Sequence, residues 1–141
     1  MPYEGGGTRW SGTTGTIRDI GAGMSDGTVY AGSLNGKKIY TTPNDAPLTY
    51  TFKEVAQYAE QLNAQNFLGH DDWRVPTKDE LNVLFNNRAV IGGFDESGSY
   101  PDGWYWTSSP YNKFFGWAQR FSDGKQEYGR DGFTSLRCGR G

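Results

Sequence analysis

A single cysteine and a single histidine, Cys138 and His70, are present in this 141-residue chain. One cysteine cannot form an intrachain disulfide, and a zinc site built from several Cys and His ligands is excluded. Because no second His or Cys stands at a metal-ligand spacing, we expect His70 to act neither as a ligand nor as a base. We expect Cys138 to be buried and to pack as a small hydrophobic residue. No metal and no cofactor are therefore expected.

The chain also lacks an excess of either charge, with 14 Lys and Arg against 16 Asp and Glu. This balance supplies no overall field that would attract nucleic acid or an anionic membrane. No apolar run approaches the roughly 18 residues of a membrane-spanning helix, and the first residues do not resemble a signal peptide. We expect no nucleic acid partner and no membrane span, and an export signal, if one is used, would lie elsewhere.

Glycine and aromatic residues are abundant instead, with 21 glycines and 16% aromatics, while hydrophobic residues reach only 35%. This composition indicates a loop-rich domain whose small core is built from large rings. The length is typical of one domain. The Gly- and Thr-rich residues 1–23 predict an extended N-terminal arm, which leaves residues 24–141 as the single folded domain.

The segment DDWRVPTKDELNVLF predicts an extended lead-in followed by a helix. Pro76 ends the lead-in, and Thr77 with Glu80 forms a capping box that starts a helix at Lys78. Arg74 in the lead-in has several acidic neighbours, so we expect a salt bridge there. The apolar stripe of the helix is formed by Leu81, Leu84 and Phe85.

A second capping box, Thr51 with Glu54, predicts an earlier helix that runs to about Ala64. Its apolar spacing comes from Val55, Ala59 and Leu62. Two helices with the same start chemistry therefore occupy the middle of the chain.

Strand patterns flank these helices. Asn35-Gly36 between two β-rich runs predicts a hairpin from Thr28 to Thr41. After the helices, the runs WYWTSS, FGWAQRF, KQEYG and FTSLRC are typical of strands, and Asp123-Gly124 predicts a tight hairpin between the second and third. The order of elements indicates an α+β domain whose C-terminal part is a small antiparallel sheet.

Four segments, WRVPTKDELNVLF, GWYWTSS, GWAQRFSDG and LRC, resemble in order and spacing the Lcl C-terminal domain family of bacterial adhesins. The resemblance covers about Tyr50 to Arg140. It implies a C-type-lectin-like fold with two helices and small antiparallel sheets, related to the formylglycine-generating-enzyme fold. It also implies that Trp73, Trp106 and Trp117 are framework residues in the core.

The family also includes variable proteins of diversity-generating retroelements, whose C-terminal sheet and loops display ligand-binding residues between fixed framework residues. The resemblance implies such a site in residues 110–133. Aromatic and Arg mixtures in loops are also typical of binding anchors, although local packing is the alternative for each position. The candidate ligand-binding residues are Tyr111, Asn112, Lys113, Phe114, Phe115, Gln126, Tyr128, Arg130 and Asp131. Among them, we expect Tyr111, Phe114, Tyr128 and Arg130 to contribute most of the contact energy.

The chain departs from calcium-dependent lectins, because it has none of their Glu-Pro-Asn, Gln-Pro-Asp or Trp-Asn-Asp strings. Its Asp and Glu side chains are scattered over predicted turns, and we expect them to be solvated there. Weak calcium binding by some of them stays an alternative. Enzymes related by fold use active-site cysteines or a histidine iron site, which one Cys and one His cannot supply. A Ser-His-Asp arrangement would have to recruit His70. We therefore expect no catalysis.

The function expected from these observations is ligand recognition, as an adhesin or receptor-binding domain displayed outside the cell, on its surface or on a phage particle. The partner would be a protein or a glycan bound through the C-terminal sheet and loops. The alternative is a structural module without a small ligand, in which the Gly-rich arm mediates homo-oligomerisation.

Overall fold

The computed structural model describes residues 20–113, 115–128 and 134–141, which form an α+β domain, as predicted. Most of the predicted N-terminal arm, residues 1–19, lies outside the described residues. Within the described ranges, no helix is long and apolar enough to cross a membrane. The strands are β1 (Val29–Leu34), β2 (Lys37–Thr41), β3 (Trp104–Pro110), β4 (Gly116–Arg120), β5 (Gln126–Tyr128) and β6 (Gly139–Arg140). The helices are α1 (Phe52–Ala64), α2 (Lys78–Asn86) and α3 (Arg88–Ile91), with a 3₁₀ turn at Phe67–Gly69.

The first sheet has the order β1-β2-β6 and is antiparallel throughout. Asn35 and Gly36 both have positive φ, 53° and 80°, as a two-residue turn that matches the strand twist requires. The predicted hairpin is therefore confirmed. On the outer side of β1, Gly21 donates its N–H to the carbonyl of Tyr30 at 2.8 Å, so the last residues of the predicted arm lie along this strand.

The second sheet has the order β3-β4-β5 and is covered on both faces. Trp106 and Ala118 belong to one core cluster, which also contains the buried stripe of α1. Tyr105 and Phe121 belong to the other, with Leu81 and Leu84 of α2. Side chains alternate between the faces of a strand, so the two clusters lie on opposite sides of this sheet. The two helices predicted from the sequence thus cover opposite faces of this sheet, α1 on one face and α2 on the other.

Two predicted strand features are wrong in detail. The connection between β4 and β5 spans residues 121–125 and is longer than a two-residue turn, because Phe121 turns into the core and is fully buried. The FTSLRC segment was predicted as a strand, but its described residues, 134–138, make only isolated β-bridges, Thr134 with Tyr50 and Ser135 with Tyr105. The regular strand in this region is β6, which follows that segment and pairs with β2.

Both predicted helix starts are confirmed. Thr77 and Glu80 form a reciprocal capping box, in which the N–H of Glu80 donates to Thr77 Oγ1 at 3.2 Å. At α1, the N–H of Thr51 donates to the Glu54 carboxylate at 2.9 Å. Glu80 has a second role, since both of its oxygens accept hydrogen bonds from Arg74, which confirms the expected salt bridge.

Candidate ligand-binding site

Three of the nine candidate residues gather with Trp117 into one aromatic surface, which we call the aromatic platform: Tyr111, Phe115, Trp117 and Tyr128. The rings of Tyr111 and Tyr128 are stacked, with centroids 4.3 Å apart and an interplanar angle of 16°. Tyr111 also meets Trp117 edge to face, at 5.5 Å and 80°. Tyr111 is 49% exposed and Tyr128 37%, so the stacked pair presents ring surface to solvent. Rigid, partly exposed aromatic groups are typical anchors in binding surfaces.

Strand register explains why these rings meet. Trp117 of β4 and Tyr128 of β5 are directly opposite in the antiparallel pair, so their side chains share a face. The loop after β3 folds back because the N–H of Tyr111 donates to the carbonyl of Phe115 at 2.8 Å. The N–H of Phe115 in turn donates to Asn112 Oδ1 at 2.9 Å. These bonds hold Tyr111 over the strand pair.

A cation borders the platform. Nζ of Lys78, the first residue of α2, lies 3.8 Å from the centroid of the Trp117 ring. Its backbone N–H donates to Ser109 Oγ at 2.9 Å, which ties the start of α2 to β3. An ammonium over an indole face is a favourable cation–π contact. Lys78 therefore adds positive charge to a surface that is otherwise aromatic.

An open depression of about 350 Å³ lies beside the rings and is lined by Trp117, Gln126, Glu127 and Tyr128. Its volume is at the lower end of the ~300–1,000 Å³ of small-molecule sites. Glu127 pairs with Lys125 at 3.1 Å, and both side chains are about half exposed. Apolar ring faces, an amide and a carboxylate together can bind a ligand that is partly apolar and partly hydrogen-bonding.

The remaining candidates differ in position. The carbonyl oxygen of the Asn112 side chain is engaged within its own loop, and Lys113 is an exposed residue of the same loop. Phe114, Arg130 and Asp131 lie outside the described residues. Gln126 lines the depression as a neighbour of the platform.

Sequence reasoning missed three residues of this site. Trp73 and Trp106 are buried as expected, but Trp117 is only half buried, so its assignment to the core is wrong. Glu127 follows Gln126 in the lining, and a candidate span from Gln126 to Tyr128 would have included it. Lys78 lies outside the predicted apolar stripe of α2, and no local pattern in the sequence connects it with a tryptophan 39 positions later.

Groups with catalytic potential lie elsewhere. His70 Nε2 is 2.7 Å from Asp26 Oδ2, and this hydrogen bond is the main cause that lowers the pKa of Asp26. The string Gly23-Met24-Ser25-Asp26-Gly27 fits the Gly-x-Ser-x-Gly pattern of hydrolases, but it forms a turn that leads into β1. A nucleophile elbow instead connects a strand to a helix. Within the described residues, no hydrogen bond joins Ser25 to His70.

The cysteine and the potential metal ligands were also located in the described part of the chain. Cys138 is 2% exposed, and burial raises the pKa of its thiol to about 12, as expected for a structural cysteine. The described residues contain no group of three or more His, Cys, Asp or Glu side chains placed to hold a metal ion.

Fold and site together define a small α+β domain with an exposed aromatic surface beside a charged helix start. The chain belongs to the Lcl C-terminal domain family, whose model matches residues 7–139. The match reaches well beyond the segments that carry the resemblance in the sequence and includes much of the predicted N-terminal arm. Family membership supports a binding or recognition role and identifies no ligand. No curated protein matches the sequence.

Proposed function

We propose that this domain is a non-catalytic recognition module that binds a protein or glycan through the aromatic platform and the adjacent depression. The observation that carries the proposal is the stacked pair of Tyr111 and Tyr128, which stays partly exposed. A ring pair needed only for stability would be expected to be buried in the core, as Tyr105 and Phe121 are.

Family membership further supports a C-type-lectin-like fold for the domain and display at a cell surface or on a phage particle. An adhesin would use the platform against a fixed ligand. A variable protein of a diversity-generating retroelement would change residues in and around it, and the exposed position of Tyr111 and Tyr128 suits such variation because it spares the core.

The platform suits flat, partly apolar groups. A ligand ring placed against an exposed tyrosine buries apolar surface without the entropy cost of ordering a flexible side chain. Gln126 and Glu127 then offer hydrogen-bonding groups at the edge, and Lys78 offers a positive charge. Aromatic anchors in protein interfaces contribute about 2 kcal/mol or more when they become buried.

The test is a screen of the domain on a glycan array and on cell-surface proteins, with and without chelator and at two salt concentrations. For any ligand found, we expect the double variant Tyr111→Ala/Tyr128→Ala to weaken binding by at least about tenfold, equivalent to ~1.4 kcal/mol. Chelator should have no effect, because the expected contacts are aromatic and hydrogen-bonding.

The matched control is Tyr100→Ala, which removes a tyrosine that is 62% exposed and lies outside the platform. It should bind like the unmodified domain, and circular dichroism should show all variants folded. Undiminished binding by the folded double variant would refute the platform as the binding site. Binding lost equally in the control would show that exposed tyrosines act without a specific site.

A further inference from the structure

A second surface cleft lies on α1, the helix that covers the face of the β3-β4-β5 sheet opposite Trp117. It has a volume of about 150 Å³, and we call it the helix cleft, lined by Tyr50, Glu54, Gln57, Tyr58 and Gln61. Four of these residues follow helical spacing from Glu54 to Gln61, so they form one stripe beside the buried stripe of α1. Glu54, Gln57 and Gln61 of this stripe are exposed, whereas Tyr58 is half-buried and packs against the core.

Tyr58 is carried by α1, and Tyr50 is fixed through hydrogen bonds of its backbone. Tyr50 donates its N–H to the carbonyl of Thr134 at 2.8 Å and accepts the N–H of Thr134 at 2.9 Å. The backbone carbonyl of Tyr50, which accepts the N–H of Thr134, also accepts Trp106 Nε1–H at 2.6 Å. The rings of Tyr50 and Tyr58 lie 5.2 Å apart at 42°, and both residues are half-buried. A ligand would therefore meet rings that are already positioned.

The polar groups of the helix cleft are one carboxylate, two side-chain amides and two phenol hydroxyls. Glu54 Oε1 accepts the N–H of Thr51, and the carboxylate projects from the first turn of α1. Within the described part of the chain, the side-chain amides of Gln57 and Gln61 make no hydrogen bond, and no Lys or Arg lines the cleft. Burial is the main cause that raises the pKa of both tyrosines, so both phenols are neutral near pH 7. The only formal charge in the lining is negative.

We propose that the helix cleft binds the cationic side chain of an arginine, or of a lysine, presented by a partner protein. A guanidinium can stack on a tyrosine face and donate to a carboxylate and to amide oxygens at the same time. The volume of about 150 Å³ is below that of typical small-molecule sites and suits one side-chain head group. This site is independent of the aromatic platform, and its failure would leave the proposed function untouched.

The probe is a blocked tripeptide, acetyl-Gly-Arg-Gly-amide, titrated into the isotopically labelled full chain at constant ionic strength and followed by NMR. Its isostere with citrulline in place of arginine keeps the shape and removes the charge. We expect the arginine peptide to shift signals of Tyr50, Glu54, Tyr58 and the two glutamines, with a dissociation constant on the order of 10 mM. The citrulline peptide should bind at least about threefold more weakly.

Glu54→Gln removes the charge and keeps the capping box, because Gln is also accepted at this helical position. It should weaken the arginine peptide by about threefold, whereas Glu60→Gln, on the same helix and outside the cleft, should leave it unchanged. Equal shifts from the citrulline peptide, full affinity in Glu54→Gln, or no shifts in the cleft would each overturn the proposal. Stronger shifts of the same residues with maltose would overturn it in favour of a sugar site.

Discussion

At the scale of single residues, Arg137 is the most unusual side chain of the core. It is 1% exposed, its Nε–H donates to the carbonyl of Thr42 at 2.9 Å, and Nη1 donates to the carbonyl of Gly92 at 2.7 Å. The guanidinium lies 4.2 Å from the ring of Phe94, and Asp45 approaches Nη1 at 3.6 Å. One buried cation thus joins the loops that contain Thr42 and Gly92 to the segment before β6.

We expect Arg137→Met to lower the free energy of unfolding by about 3 kcal/mol, because it leaves the carboxylate of Asp45 without its cation and two carbonyls without their donor. Chemical denaturation followed by fluorescence would measure the loss. Arg140→Met is the matched control, since its bidentate pair with Asp72 lies at the surface and is partly exposed, unlike Arg137. That change should cost less than about 1 kcal/mol. Similar losses in the two variants would contradict the structural role assigned to Arg137.

At the scale of elements, the contact between α1 and β4 depends on a glycine. A Cβ on Gly116 would lie 2.0 Å from the Phe52 ring, which packs against Trp106 at 5.5 Å. The first residue of the helix therefore lies directly on the first residue of the strand. The close approach brings α1 onto the sheet and so positions the helix cleft.

Gly116→Ala should lower the free energy of unfolding by about 1–3 kcal/mol, because the ring of Phe52 has to move within a packed core. In a Phe52→Leu background, the same change should cost less, which a double-mutant cycle would measure. Gly23→Ala is the control, since a Cβ there has no neighbour within 4 Å, and its effect should stay within about 0.5 kcal/mol. An additive cycle would show that the clash with Phe52 is not the cause.

The helices and the first hairpin were predictable because their sequence signals are local. Parts of the site were not, because they depend on contacts between residues far apart in the sequence. Capping boxes and the Asn35-Gly36 turn act within four residues, so sequence alone located α1, α2 and the first hairpin. The Asp123-Gly124 turn was predicted too short because Phe121 is drawn into a cluster with distant rings. Tyr111 and Tyr128 were candidates because of the family resemblance and the aromatic character of their segments, and both are exposed in the structure. Lys78, in contrast, reaches Trp117 only through the packing of α2 on the sheet.

At the scale of the whole molecule, acid–base linkage should place maximum stability below neutral pH. Burial raises the pKa of Asp45 from 3.8 to about 6, although the hydroxyl of Tyr105 donates to it and Arg137 lies nearby. The folded protein then keeps a proton that the unfolded chain releases between these values, so stability rises as pH falls from 7 toward 5. The pKa values of Glu80 and Asp72 are lowered, so their contribution is present at neutral pH and is lost in more acidic solution, below pH ~4.

We therefore expect the free energy of unfolding to be greater at pH 5 than at pH 7.5, by about 1.4 kcal/mol from Asp45. Urea denaturation at a series of pH values would measure the slope. Asp45→Asn cannot titrate at this position, so the difference in slope between the two proteins isolates this carboxyl from every other titrating group. If both proteins showed the same slope between pH 5 and 7, Asp45 would be ionised in the fold throughout. Its pairing with Arg137 would then outweigh the cost of burial.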